Sequence, residues 1–306
     1  MIIISNLTKR FGELIAVDGL NLEIGQDGIF GLLGPNGAGK TTTINMICGL
    51  LPPTSGSIHF EGFGRKDTKL LIGYCPQENI FYPRLSCLEQ LHFIGRMYGM
   101  SSKSLHTRAD ELLELLGLQE KRHARASKLS GGMKRRLNIA LALIHDPEII
   151  ILDEPEAGLD PQSRILVRDF IKNIGHQKTV ILTTHNMDEA DRLSSRIALI
   201  DYGKLLLIDT PRNLKKTIGE GDILELVPEA MNESAVDTYI QKLENASLHV
   251  TRGTDSLLIK HPEIVEQLPE IKKMADSSAI RVAEIRLREN TLEDVFIHLT
   301  GRKLRQ

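Results

Sequence analysis

The spacing of apolar positions changes along this chain, and each spacing predicts a different element. Ile29-Phe30-Gly31-Leu32-Leu33, Ile149-Ile150-Ile151-Leu152 and Thr179-Val180-Ile181-Leu182 are short unbroken runs. Such runs read as strands buried on both faces of a sheet. Ile2-Ile3-Ile4 also reads as a strand, and Leu20-Asn21-Leu22-Glu23-Ile24 and Ser57-Ile58-His59-Phe60-Glu61 alternate as strands with one wet face do. Ile72-Gly73-Tyr74-Cys75 predicts a strand running into a loop at Pro76-Gln77. From Ser86 to about Leu118 the period turns helical: Leu88, Leu91, Phe93-Ile94, Met97, Leu105, Ala109, Leu112-Leu113 and Leu115-Leu116 recur at helical spacing. The pattern predicts an α/β domain over 1–218 with a helical insertion at about 84–146.

Near Glu220-Gly221 the pattern changes again. A strand from Asp222 to Val227 and a helix from Ser234 to Leu243 are followed by strands at Leu248–Thr251 and Ser256–Lys260. A helix from Pro262 to Ala275 and a strand from Ile280 to Leu287 complete the order βαββαβ. That order resembles a ferredoxin-like α+β sandwich, so 219–306 is expected to be a smaller accessory or regulatory domain. Thr291 to Leu299 reads as an amphipathic helix, with Thr291 and Asp294 spaced as a capping box.

Composition narrows the class. With 306 residues the chain is long enough for two domains, and 41% hydrophobic and 25% charged residues are ordinary for a globular protein. A net charge of -2 argues against nucleic acid as a partner, since phosphate binding needs a basic excess. No apolar run reaches the ~20 residues that span a bilayer, and the N-terminus lacks the pattern of a signal peptide. Cys48, Cys75 and Cys87 show no metal spacing and read as buried thiols in a reducing compartment. The expected location is therefore cytoplasmic.

The chemistry starts at Gly34-Pro35-Asn36-Gly37-Ala38-Gly39-Lys40-Thr41-Thr42, between the run ending at Leu33 and a helical segment from Thr43 to Leu50. A strand, a glycine-rich turn, Lys-Thr and a helix make up a phosphate loop. The glycines let successive N–H groups converge, and the helix adds its positive dipole end. Lys40 is placed to bridge the β- and γ-phosphates, and the Thr41 hydroxyl to ligate Mg²⁺. Asp153-Glu154 closes a buried strand at the end where ligands bind in open α/β sheets. Asp153 is the expected Mg²⁺ partner and Glu154 the group that polarises the attacking water. His185 ends the next buried strand, so a γ-phosphate contact is expected from it. Phe11 beside Gly12 reads as a base-stacking aromatic. Gln77 reads either as a solvated loop residue or as one that orients water or reaches the metal. Ser130-Gly131-Gly132 opens a helix and reads equally as an anion site or an ordinary capped N-terminus. Gly158-Leu159-Asp160-Pro161 is a turn opening another helix.

The order of these motifs resembles the nucleotide-binding subunit of an ABC transporter. Gly34 to Thr41 is similar to the Walker A motif, Leu129-Ser130-Gly131-Gly132-Met133 to the signature motif, and Ile149 to Asp153 to the Walker B strand. The resemblance makes Glu154 the catalytic glutamate, Gln77 the Q-loop residue, Asp160 part of the D-loop, His185 the switch histidine and Phe11 the adenine-stacking position. Met133 and Glu156 depart from the commonest residues at their positions. Arg288 to Arg302 is similar to the tail of daunorubicin-resistance-type exporters, whose ATPase is a chain separate from the membrane subunit. The resemblance implies ATP and Mg²⁺ as ligands, and an ATP-dependent head-to-tail dimer in which Ser130-Gly131-Gly132 of one copy faces the phosphate loop of the other. It also implies an integral-membrane permease that holds the chain at the inner face of the membrane, and export of a drug, lipid or other hydrophobic solute. A soluble ATPase of translation or DNA repair and an importer subunit are the alternatives. One cassette and no sustained heptads speak against the first.

Overall fold

The computed structural model describes residues 1–26, 28–64, 67–218, 223–229, 233–253, 255–261 and 263–301. Glu220-Gly221, Asp222, Pro262 and Arg302, each named by the sequence reading, lie outside the described residues. Contacts divide the chain into two units, Met1–Pro211 and a second that begins at Arg212.

The first unit opens with β1 (Ile2–Phe11) and β2 (Leu14–Ile24), an antiparallel pair turning at Gly12, whose φ is 60°. Next come β3 (Gly28–Leu33) and α1 (Lys40–Ile47). They are followed by β4 (Ser55–Phe60), which pairs with the free edge of β1. α2 (Thr68–Leu71), capped by Asp67, runs directly into β5 (Ile72–Cys75). The expected insertion contains α3 (Cys87–Met97), α4 (Ser102–Leu115) and α5 (Gly131–Leu143). Ser86 and Glu89 close a capping box at the start of α3, satisfying two N–H groups that the helix end leaves orphaned. Then follow β6 (Ile149–Asp153), α6 (Pro161–Gly175), β7 (Thr179–Thr184), α7 (Met187–Leu193), β8 (Arg196–Asp201) and β9 (Lys204–Asp209); α8 (Pro211–Lys216) starts at the last residue of this unit and otherwise belongs to the second.

Two sheets result, one in the order β2-β1-β4 and one in the order β5-β6-β7-β3-β8-β9. In the larger sheet β5, β6, β7, β3 and β8 are parallel, and β9 returns antiparallel to β8 through Tyr202-Gly203. The unbroken apolar runs explain its burial on both faces. Ile150 and Leu152 join the core shared with α3 to α6, while Ile149 and Ile151 join the core shared with α1 and the antiparallel sheet. Strand side chains alternate, so a run with no polar member feeds both cores. The order β6-β7-β3 also sets the carboxyl ends of these strands side by side: Asp153 pairs with Thr183, and Leu33 with Thr184.

The second unit contains β10 (Ile223–Pro228), α9 (Glu233–Asn245), β11 (His249–Arg252), β12 (Leu257–Lys260), α10 (Ile264–Ser277), β13 (Val282–Arg288) and α11 (Leu292–Thr300). The strands pair antiparallel in the order β11-β12-β10-β13, the ferredoxin-like arrangement expected from the sequence. Leu224, Leu226, Leu257 and Ile259 form its core with Val236, Tyr239 and Ile271 of the helices. Tyr239 is fully buried, and its hydroxyl donates to the Ile271 carbonyl at 3.1 Å. The expected capping box is present, and Arg288 clamps the same Asp294 carboxylate at 2.6 and 3.0 Å.

Candidate functional site: a phosphate loop facing an acidic strand end

Between β3 and α1 the chain turns so tightly that side chains are excluded. A Cβ on Gly34 would sit 2.1 Å from the Ile200 carbonyl oxygen. Gly39, the N-cap of α1, has a φ of 98°, and a Cβ there would meet the Ala16 carbonyl at 2.4 Å. A glycine N-cap brings no side-chain acceptor, so the first-turn N–H groups of α1 remain available to an anion. Asn36, Gly37, Ala38, Gly39, Lys40, Thr41 and Thr42 line a cavity of about 460 Å³ together with Phe11, Gln77 and Glu154. Leu14 and Tyr202 add apolar surface to the same cavity, and Phe11 is half exposed. One cavity therefore joins an aromatic platform to a nest of backbone donors, as a nucleoside triphosphate requires.

The charged groups beneath are buried and mutually held. Lys40 donates to the Gly34 and Pro35 carbonyls at 2.7 and 3.1 Å, and its Nζ stands 3.8 Å from Glu154 Oε1. Burial pulls the Lys40 pKa down, while Glu154 and Asp153 push it back up. Asp153, 1% exposed, accepts from Thr41 Oγ1 at 3.1 Å and from Thr183 Oγ1. Glu154 sits in the left-handed region, with a φ of 50°. Its N–H is shared between the Thr183 carbonyl and hydroxyl, each at 3.1 Å. His185 Nδ1 lies 2.8 Å from Glu154 Oε2 and 2.9 Å from Oε1. The side chain of His185 is half exposed while that of Glu154 is buried, so the imidazole bridges the carboxylate to the surface.

Thr41 and Asp153 present oxygen donors to one point, which fits a hard cation. Among the described residues no group of three or more His, Cys, Asp or Glu could hold a metal. A Mg²⁺ ion at Thr41 and Asp153 would therefore complete its shell with phosphate oxygens and water, its usual habit in nucleotide sites.

Not every expected residue reaches this cavity. Ser130 caps α5 by accepting from the Met133 N–H at 3.3 Å, and Ser130 and Gly131 are exposed and do not line it. Gly132 packs against the start of α6, where a Cβ would stand 2.1 Å from Ser163 Oγ and 3.3 Å from Asp160 Oδ2. Asp160 caps α6 through the Ser163 N–H at 2.9 Å, and that bond holds its carboxyl below the ordinary range. The signature and D-loop residues thus form a neighbouring surface at the joined N-termini of α5 and α6.

Several participants carry no sequence signal. Thr183 is one apolar-strand residue among others until the register sets it opposite Asp153. Glu156, unusual at its position, is buried and held bidentately by Arg168 at 2.9 and 2.7 Å. No local pattern joins those two positions. Glu189, 4% exposed, accepts from Thr184 Oγ1 at 2.6 Å, and burial pushes its carboxyl up to about 7. Thr184 Oγ1 in turn accepts from the Asn186 N–H at 2.9 Å, which shapes the turn carrying His185.

Such a loop on a parallel sheet, facing an acidic strand end, defines a phosphate-loop nucleotide-binding protein, and this chain is an ATPase of that class. It belongs to the ABC transporter family, as an ATP-binding subunit. The family model described as "ABC transporter" matches residues 17–157. A linearmycin resistance ATP-binding protein of Bacillus subtilis is 38% identical, over 98% of each chain. A daunorubicin resistance ATP-binding protein of Streptomyces coeruleorubidus is 34% identical, over 98% of this chain and 96% of its own, in line with the resemblance in the tail. Among solved structures, the dimeric post-hydrolysis state of an ATP-binding cassette bound to ADP and Pi is 28% identical. It covers 69% of this chain and 98% of its own, with a TM-score of 0.62.

Proposed function

We propose that this chain is the ATP-hydrolysing motor of an exporter, working as a head-to-tail pair on a separate permease. The observation that carries the chemistry is the Glu154 carboxylate, bonded to His185 and 3.8 Å from Lys40, above the Thr41–Asp153 pair. The N–H groups of the loop and Lys40 bind and orient the triphosphate. Thr41, Asp153 and Gln77 would hold Mg²⁺, which when bound neutralises charge on the phosphate oxygens. Glu154 orients the attacking water and accepts its proton, and His185 steadies that carboxylate and reaches the γ-phosphate. Phe11 stacks on the base. Ser130-Gly131-Gly132 and Asp160 serve the site of the second copy, a reading supported by their absence from the lining of their own cavity. Splitting the γ-phosphate removes the bridge between copies.

For the permease we infer a docking groove of about 610 Å³, lined by Tyr74, Pro76, Ile80, Ile94, Met97 and Tyr98. Ile80 and Met97 are 67% and 70% exposed, and the groove borders the Gln77 loop. A short apolar helix of the partner would sense that loop directly. Among the described residues no helix is long and apolar enough to cross a membrane. With a permease as partner, the chain would sit at the inner face of the membrane. The relatives' names describe resistance to linearmycin and daunorubicin, which supports expulsion of a hydrophobic solute. Residues 219–306 would act as an accessory domain.

The test is a pull-down of tagged Glu154→Gln from detergent-solubilised membranes with ATP and Mg²⁺. A co-purifying protein with several spanning helices, lost on Met97→Glu, supports the reading. Recovery of ribosomal or repair proteins alone refutes it.

A further inference from the structure

Arg135 lies one turn into α5 and is 2% exposed. Its guanidinium ends among backbone carbonyls of two separate loops. Nε donates to Pro155 at 3.2 Å, and Nη2 donates to Asp153 at 2.5 Å and to Glu154 at 3.1 Å. Nη1 donates to Pro76 and, at 3.3 Å, to Gln77. The first loop leaves β6 and carries Glu154; the second leaves β5 and carries Gln77. The neighbouring Arg136 is also buried but turns elsewhere, to the Leu116 and Gly117 carbonyls at 2.7 and 3.2 Å, inside the helical insertion. One arginine closes the insertion on itself, and the other fastens it to both loops of the site.

Carbonyls taken out of water need donors, and a planar fork of five N–H groups is available only from arginine. Lysine offers three donors around one tetrahedral nitrogen. The left-handed backbone of Glu154 persists only if its surroundings enforce it. Arg135 holds its carbonyl, and Thr183 holds its N–H.

We propose that Arg135 is a positioning residue for hydrolysis: it locks the Glu154 backbone and ties the Glu154 and Gln77 loops to α5 as one unit. This rests on the roles given above to Glu154 and Gln77. Arg135 makes no hydrogen bond to α1 or the phosphate loop among the described residues. Its loss should therefore lower kcat and spare nucleotide binding.

The experiment compares the full chain with Arg135→Ala, Arg135→Lys, Arg136→Ala and Glu154→Gln. Turnover, affinity for a non-hydrolysable ATP analogue and melting temperature are measured for each. For Arg135→Ala we expect kcat about 100-fold down, the scale of a misplaced reacting group, with analogue affinity within about twofold. Millimolar guanidinium ions should restore part of that turnover by refilling the carbonyl cluster. Arg136→Ala should melt lower, keep its turnover and ignore guanidinium. Wild-type turnover in Arg135→Ala overturns the proposal. So does a joint loss of affinity and turnover that guanidinium leaves unchanged. If Arg135→Ala does not fold, Arg135→Lys decides by the same split between kcat and affinity. Full turnover in Glu154→Gln sinks the assignment of Glu154 itself, whereas an inactive Glu154→Gln beside normal Arg135 variants sinks only the positioning role.

Discussion

The N-termini of α1 and α5 look alike in sequence and behave differently in the structure. Both have glycine at the helix start, before the first residue in α1 and within the first turn in α5, and neither has an acidic residue in its first turn. α1 starts at a glycine with no side-chain cap and opens into a cavity that already holds Lys40, Glu154 and Phe11. α5 starts at a serine that caps it, and its glycines lie outside that cavity. At the first N-terminus, one chain supplies backbone N–H groups, a lysine and a carboxylate around a single cavity. At the second, Ser130 and Gly131 are exposed, Gly132 is buried, and the Met133 N–H is taken by the Ser130 hydroxyl. Every helix N-terminus favours an anion, so what differs between the two is the company each keeps: α1 shares its cavity with Lys40 and Glu154, whereas Ser130 and Gly131 at the start of α5 do not line it.

The largest expected effect removes the group that only the first site owns. Glu154→Gln should cut turnover about 10³-fold while keeping ATP, the loss expected for a general base. Size-exclusion chromatography with ATP and Mg²⁺ should then show a trapped dimer, and a strictly monomeric elution would break the two-copy account. Lys40→Met comes next. Losing charged hydrogen bonds to phosphate removes about 2–3 kcal/mol, roughly 50-fold in affinity by calorimetry. Equal affinity would mean that the α1 terminus binds by its backbone alone.

A third N-terminus sharpens the contrast. α7 starts at Asn186, whose side chain caps the Glu189 N–H at 3.1 Å, and Glu189 is buried with a carboxyl pushed up from 4.5 to about 7. The unfolded chain releases this proton near pH 4.5, and the folded chain holds it to about pH 7. Stability should therefore fall as pH rises through that window, by about 2 kcal/mol between pH 5 and 7. Glu189→Gln should flatten that part of the denaturant-midpoint profile, and an unchanged slope would remove Glu189 as its source. The smallest effect belongs to the start of α5. Ser130→Ala removes a cap worth about 1 kcal/mol of stability. Single-copy nucleotide affinity should stay and turnover should drop, because Ser130 lies outside its own cavity. A fall in the affinity of the monomer would contradict the division between the two helix ends.

Much of the fold was legible because its signals are local. Apolar runs, a glycine turn and an acidic strand end each sit within a few residues, and the βαββαβ order of the second unit follows from alternation and turns. The capping box at Thr291 was read from a spacing of three residues and is present. Thr183, Glu189 and the Glu156–Arg168 pair were not legible, because each depends on a partner brought near by strand register or helix packing. Arg135 is one charged residue in a basic helical run, and nothing in the sequence marks the carbonyls that surround it.

The sequence by itself determined the phosphate loop, the strand carrying Asp153-Glu154, the helical insertion and the class of ligand. These follow from residue type and spacing, which act over one turn or one strand. Only the tertiary structure decided that Asp153 faces Thr41 and Thr183, that His185 bonds Glu154, and that Ser130-Gly131-Gly132 stands apart from its own cavity. The strand order β6-β7-β3 sets these distances, and strand order results from packing the whole chain, which no local run of residues encodes.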